Sequence, residues 1–493
     1  MTIERRRGEW IVEALAMQLD QPRSGTVTLA QRLYAPLRDW IQRGELTAGE
    51  ALPSSRRLAR ALGIGRNTVL AAMDRLVAEG FVEARQGSGL RVAELGPLPV
   101  APPAATAFDA PPLSDRGQRL LDFCAMVSRG HRAFVPGVPA LDLLPRERWQ
   151  RLLRRHRQRS PTDWLDYRSQ GGLPALKAAL CDYLRLSRSV RCRPEQILIT
   201  QGAQQGFELI ARLLADAGDT AWLEEPGYGG VQACFAMAGL AMQPVPVDAA
   251  GLDPERAAGP SPRLIYVTPS HQYPLGVTLS LHRRLALLKA AERHGAWLIE
   301  DDYDSEFRYT SAPLASLQGL AEGAPVIYVG TFSKVLYPGL RLGYLVLPEG
   351  LVEVFRRANA RLHREGQYVV QAALAEFIEA GDFARHVARM RGVYRQRQVW
   401  LRQALAPAVV QGLDLSSGHA GMHLVARLDS LDEERRLVEA GDAAGVTLSP
   451  LSRYYLGPAR QPGLVLGYAG SDEAEIAHAG GWLSRAWLDL QSR

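Results

Sequence analysis

From Ala93 to Pro112 the chain reads AELGPLPVAPPAATAFDAPP, rich in proline and alanine and without an apolar period. Its prolines remove backbone donors and it has no face to bury, so it reads as a semi-extended linker. The 493 residues are in any case too many for a single hydrophobic core. The chain is therefore expected to divide into a small unit over residues 26–93, a linker over 94–118 and a large unit over 119–493.

Charge separates the two units as well. Residues 1–93 carry 14 Arg, no Lys and 10 Asp plus Glu, which leaves +4 of the chain's net +6 in less than a fifth of its length. Such a bias points to a polyanionic partner. Hydrophobic residues make up 47% and charged residues 22%, the balance of an ordinary globular protein rather than a disordered one. No apolar run reaches the roughly 20 residues that span a bilayer, so no membrane partner is expected. The opening MTIERRRGEW has basic residues but no apolar core or cleavage site after them, unlike a signal peptide. Cys124, Cys181, Cys192 and Cys234 form no C-x-x-C pair, which argues against a disulfide framework or zinc site and fits a reduced cytoplasm. His419 and His423 lie four apart, but SSGHAGMHLV reads as a turn into a strand, and the metal-binding spacing needs a helix. No metal is expected.

The small unit reads as three helices and a hairpin. Leu33, Leu37 and Ile41 share one helical face that ends near Gly44. In LPSSRRLARALG, Ser54 or Ser55 can cap a helix whose Leu58 and Leu62 share a face and which Gly63 stops. In the third helix Val69, Met73, Leu76 and Val77 form the apolar stripe, up to Gly80. Two short helices joined by a turn around Gly63–Gly65 have helix-turn-helix geometry, and FVEARQGSGLRV reads as a wing. The polar residues opening the third helix, Arg66, Asn67 and Thr68, have no role in a core and suit base edges in the major groove. Arg56 and Arg57 can reach phosphate, and Gln86 and Gly87 can touch backbone or minor groove. The run GELTAGEALPSSRRLARALGIGRNTV resembles the GntR-type winged helix over about Leu29 to Val92. That resemblance implies contacts with double-stranded operator DNA at Arg56, Arg66, Asn67, Thr68 and Gly87.

In the large unit, apolar strands alternate with helical patterns, as in an α/β fold. Four strand ends carry polar clusters that together suit pyridoxal 5'-phosphate (PLP). The chemistry needs a lysine for a Schiff base, a carboxylate for the pyridine nitrogen, a phosphate cradle and a stacking aromatic ring. Val326–Val329 leads into GTFSKVLYPGLRLGY, which offers Lys334 flanked by Thr331 and Ser333, with Arg341 seven residues on. Ala296–Ile299 leads into EDDYDSEFRY, with Asp301 for the ring nitrogen and Tyr303 for the ring hydroxyl. Asp302 is the alternative to Asp301, since strand alternation points only one of them inward. Ile197–Ile199 leads into TQGAQQG, where Gly202 permits a tight turn and Ala203 and Gln204 would open a helix at the phosphate. Thr220–Leu223 ends in EEPGYGG, where Tyr228 can stack on the ring.

Together these parts resemble a fold-type-I aminotransferase over roughly Arg119 to Arg493. The resemblance implies a homodimer with cofactor sites at the subunit interface, Tyr167 of YRSQGGLPALKAAL reaching the partner's phosphate. The joint order of GntR-type domain, linker and aminotransferase-like domain resembles the MocR/GabR family of regulators, PdxR-like members included. Three departures from aminotransferases stand out. The stretch TPSHQYPLG has Tyr273 where an N-P-x-G turn would place Asn, a form usual for the regulators. The late strand Leu464–Ala469 carries no arginine, so Arg453 in PLSRYYLG is the nearest candidate for an effector carboxylate. Tyr228 is followed by Gly229 and Gly230 rather than the Y-x-R of GABA-responsive members. The expected function is a cytoplasmic DNA-binding regulator that senses PLP or an amine effector through an aldimine at Lys334. The alternative is an active aminotransferase with an accessory DNA-binding domain.

Overall fold

The computed structural model describes residues 3–19, 27–85, 89–94, 113–124, 133–309 and 314–492, and the chain divides into two compact units, Met1–Pro111 and Pro112–Arg493.

The first unit packs helices Leu29–Gln42, Ser55–Leu62 and Arg66–Ala78 against the hairpin of Val82–Arg85 and Gly89–Val92. Leu33, Leu37, Ile41, Leu58, Val69, Met73 and Leu76 are buried in one core with Val82 and Val92. Ser54, not Ser55, caps the second of these helices, its Oγ accepting from the Arg57 amide at 3.3 Å, and Gly63 ends it in the left-handed region. Val77 departs from expectation and is exposed. Residues 69, 73 and 76 recur every three to four positions, and residue 77 lies a further 100° around the helix, off the buried stripe. A helix over Ile3–Leu19, absent from the sequence reading, adds Ile11 and Leu15 to the same core and sets Trp10 against Trp40 at 5.1 Å between ring centroids.

The second unit is built on an eight-stranded sheet. Its order is Ile197–Thr200, Gly343–Val346, Val326–Thr331, Trp297–Asp302, Leu264–Val267, Thr220–Glu225, Ala241–Asp248 and Gly251–Leu252. Gly343–Val346 runs antiparallel to both its neighbours, and the short Gly251–Leu252 is antiparallel to Ala241–Asp248. The remaining strands share one direction. ILIT, LIYV and TAWLEE are buried at every position, because helices cover both faces of such a sheet. A smaller antiparallel sheet of Asp414–Leu415, His423–Arg427, Gly463–Gly467 and Ser449–Pro450 shares a separate core with the 29-residue helix Asp382–Val410 and the helix Glu473–Gln491. The parallel strands all end at one edge, where polar residues escape the layers above and below. Ligands of open α/β sheets bind at that edge.

Candidate cofactor and DNA sites

The strand ends enclose a cavity of about 200 Å³. Lys334 reaches it from just past Val326–Thr331, and its Nζ donates to the Gly137 carbonyl at 2.9 Å. Burial lowers the affinity of this amine for its proton, opposed by the charges of Asp304 and Asp301. A lysine so placed is closer to a neutral nucleophile than one in water.

Asp301 lies one residue before the end of Trp297–Asp302 and lines the same cavity. Its Oδ2 accepts from the Tyr266 hydroxyl at 2.6 Å, and its Oδ1 is buried without a hydrogen-bond partner. Asp302 faces the other way. It accepts from Arg188 Nε at 2.6 Å, from Ser305 at 2.9 Å and from the Tyr328 hydroxyl, all buried. Strand alternation thus divides the pair, leaving one carboxylate at the cavity and one in an ion pair. Burial pushes Asp301 up to about 7; the Tyr266 hydrogen bond opposes this and the charges of Asp302 and Asp304 add to it. A buried acceptor without a donor is costly, and the protonated ring nitrogen of PLP is a donor of the kind it lacks. The residues present therefore fit the cofactor.

Opposite the lysine, Gly202 takes φ +88° and opens the helix Ala203–Leu214 toward the cavity. A side chain there would stand 3.4 Å from the Arg341 guanidinium. Ala203 and Gln204 thus present first-turn N–H groups beside Thr331, Ser333 and Arg341, all of which line the cavity. Arg341 is held by the Gln201 carbonyl at 2.9 Å, and Thr331 Oγ1 accepts from the Ser333 amide at 3.2 Å. Helix terminus, hydroxyls and guanidinium form an anion cradle. Tyr228 forms one wall, with Tyr273 edge-on to it at 5.9 Å, and Tyr303 another.

The nine residues read from the sequence as holding the cofactor within one subunit line one cavity, together with Tyr273. Tyr167, expected at the partner's phosphate, and Arg453 are not among its lining residues. Tyr167 is 72% exposed, its ring beneath Arg364 at 4.7 Å. The Arg453 guanidinium lies over the Tyr454 ring at 5.8 Å, and the Tyr454 and Tyr273 hydroxyls meet at 3.1 Å. The sequence reading missed Gly137, Tyr266, Thr268, Met422 and His423, which also line the cavity. His423 Nε2 meets the Pro274 carbonyl at 2.8 Å, and burial, with His271 nearby, lowers its pKa to about 3, so its ring stays neutral.

Asp301 makes the site sensitive to pH. Its folded value of about 7 exceeds its ordinary 3.8. The cost of ionising it in the empty fold therefore appears as pH rises from about 4 and is complete above about 7. Pairing with a bound donor removes that cost. PLP should raise the melting temperature more at about pH 8 than at about pH 5.5. Equal rises in scanning fluorimetry would remove Asp301 as its partner.

In the first unit, Arg66, Asn67 and Thr68 open the helix Arg66–Ala78, the first two exposed and Thr68 half-buried. Arg56 is exposed, whereas Arg57 turns toward Glu9 of the first helix at 3.9 Å. Gln86 and Gly87 lie outside the described residues.

Known proteins share both units. The family of bacterial regulatory proteins, gntR family, matches residues 29–92, and the aminotransferase class I and II family matches residues 141–479. The probable rhizopine catabolism regulatory protein MocR of Rhizobium meliloti is 42% identical over 95% of this chain and 96% of its own. The pyridoxine biosynthesis transcriptional regulator PdxR of Corynebacterium glutamicum is 32% identical over 90% and 93%. Among solved structures, the α-aminoadipate aminotransferase LysN of Thermus thermophilus, complexed with N-(5'-phosphopyridoxyl)-L-leucine, superposes with a TM-score of 0.67 and 28% identity, covering 77% of this chain and 96% of that one. A GntR helix-turn-helix domain implies DNA binding, and aminotransferases of this class are PLP-dependent. With both units in one order along nearly its whole length, the chain belongs to the MocR-type transcriptional regulators of the GntR family.

Proposed function

We propose that this regulator binds PLP in the cavity at Lys334, and that occupancy of the cavity, by PLP alone or by PLP with an amine effector, sets how the winged helices engage operator DNA. The observation that carries the reading is the buried, unpartnered Oδ1 of Asp301 in the same cavity as the Lys334 amine and the Arg341 cradle. When bound, PLP supplies an aldehyde that condenses with primary amines and a ring that withdraws electrons. Lys334 anchors that aldehyde, Asp301 holds a proton on the ring nitrogen, and Tyr228 covers the ring face. Ala203, Gln204, Thr331, Ser333 and Arg341 hold the phosphate, and Tyr303 donates to the ring oxygen. The exposure of Tyr167 supports a homodimer in which it serves the partner's phosphate. A ligand changes DNA binding only by favouring one arrangement of the protein over another. Such a protein acts in the cytoplasm, where its operator is.

Adding PLP to the purified full-length protein tests the binding step. A visible absorbance band should form, and borohydride should fix the added mass on the peptide bearing Lys334. A label elsewhere, or no band, overturns the reading.

Arg66 and Arg56 carry a separate expectation. Arg66→Ala should weaken operator binding roughly 10- to 100-fold and relax specificity at one base pair. Arg56→Ala should weaken all sequences alike and lower the salt slope by about one. Fluorescence anisotropy across a salt series separates the two, and a sequence-blind effect of Arg66→Ala would remove it from the base edges.

A further inference from the structure

Behind Tyr303 lies a buried pair that the binding of PLP does not itself require. His271 Nδ1 stands 2.9 Å from the Tyr303 hydroxyl oxygen and 2.9 Å from Asp304 Oδ2. Both partners are almost wholly buried, and neither lines the cavity. The backbone is shaped to admit the ring. At Gly421, φ +86°, a Cβ would fall 1.9 Å from His271 Cε1.

An imidazole nitrogen has one in-plane site, occupied by either a hydrogen or a lone pair. A carboxylate only accepts, so the contact with Asp304 calls for the hydrogen on Nδ1. The Tyr303 oxygen then accepts a share of that same hydrogen. Its own proton has no use at Nδ1 and is left for the other side of the oxygen, which is the cavity.

We propose that His271 and Asp304 are a positioning pair that keeps the Tyr303 hydroxyl proton presented to the cavity, for donation to the ring oxygen of PLP. The proposal rests on the cofactor reading above. Without Asp304, Nδ1 is free to carry a lone pair, and the Tyr303 proton turns back toward it. The other ionisable groups acting on Tyr303 include Tyr273, Asp301 and Glu224, and Lys334 and His423 line the same cavity; among the described residues none of these contacts its hydroxyl by a hydrogen bond.

A donor at the ring oxygen stabilises its anionic form and so lowers the pH at which the bound cofactor gains a proton. The test is a pH titration of the visible band in full-length, PLP-loaded protein. Tyr303→Phe should move the midpoint up by roughly one pH unit or more. Asp304→Ala leaves Tyr303 in place but frees Nδ1 to accept its proton; because the same change removes a charge that favours the proton on the Lys334 nitrogen, its midpoint is read against a double variant that shares that loss. Adding His271→Phe to Asp304→Ala removes the competing acceptor at unchanged carboxylate charge and should lower the midpoint by roughly one pH unit, which a merely structural role would not do. His271→Asn keeps a donor beside Asp304 and should keep the wild-type midpoint, so the test survives if Asp304→Ala fails to fold. Equal midpoints in Asp304→Ala and the double variant, or a full shift in His271→Asn, each overturns the pair. A visible band that Tyr303→Phe leaves unmoved would instead overturn the placing of the ring oxygen, and no band in the wild type would overturn the cofactor reading itself.

Discussion

Lys334→Ala is expected to abolish the pH-dependent shift of the visible band of PLP-loaded protein and the fixation of PLP by borohydride, while the fold survives. Lys334 makes one hydrogen bond, to the Gly137 carbonyl, and removing it relieves the desolvation of a buried amine. The anion cradle does not depend on it and Asp301 keeps its Tyr266 hydrogen bond, so PLP should still bind, reversibly and more weakly. The variant should thus lose PLP slowly retained through gel filtration but keep the wild-type melting temperature without PLP, within about 1 kcal/mol of stability. If the variant kept the borohydride fixation and the retention, another amine would be the anchor. Its DNA affinity without PLP should match wild type, since the winged helix is untouched.

The second large effect is on stability. Arg188 is buried and donates to Asp302, to Ser270 and to the Leu314 carbonyl. Arg188→Leu would leave the Asp302 charge buried among Ser305 and Tyr328 without its counterion. Breaking a buried pair from one side costs about 3–5 kcal/mol, far more than the pair contributes relative to an apolar replacement. The double variant Arg188→Leu with Asp302→Leu should therefore recover much of the loss. Urea unfolding followed by tryptophan fluorescence reads both. A cost below about 1 kcal/mol for Arg188→Leu would contradict the division of labour between Asp301 and Asp302.

That division shows where sequence reasoning stops. Period-two alternation says that one of the two carboxylates faces the cavity, but not which. The choice is made by Arg188, 114 residues away, which only the folded chain brings to Asp302. The cofactor residues were legible because each follows an apolar strand at its C-terminal end, where the local sequence turns from apolar to polar. Tyr266 carried a fainter signal of the same kind, a hydroxyl near the end of the buried run LIYV. His423 comes from the smaller sheet, Met422 from the bend before it and Gly137 from an irregular segment, so no local pattern ties them to Lys334. The first helix has a weak local signal: Ile11 and Leu15 lie one turn apart, but the stretch before them is polar and basic. Val77 was assigned to the core by its type, and its helical phase puts it in solvent.

The central claim is that the cavity at Lys334 governs DNA binding. The most direct measurement is the affinity and footprint, at fixed salt, of wild type and Lys334→Ala on DNA from upstream of the protein's own gene, without PLP, with PLP, and with PLP plus a panel of amines. The predicted result is that PLP, or one amine in its presence, changes the wild-type affinity or footprint and leaves Lys334→Ala unchanged. Binding by wild type that is indifferent to PLP and to every amine, or a response that Lys334→Ala retains in full, would contradict it.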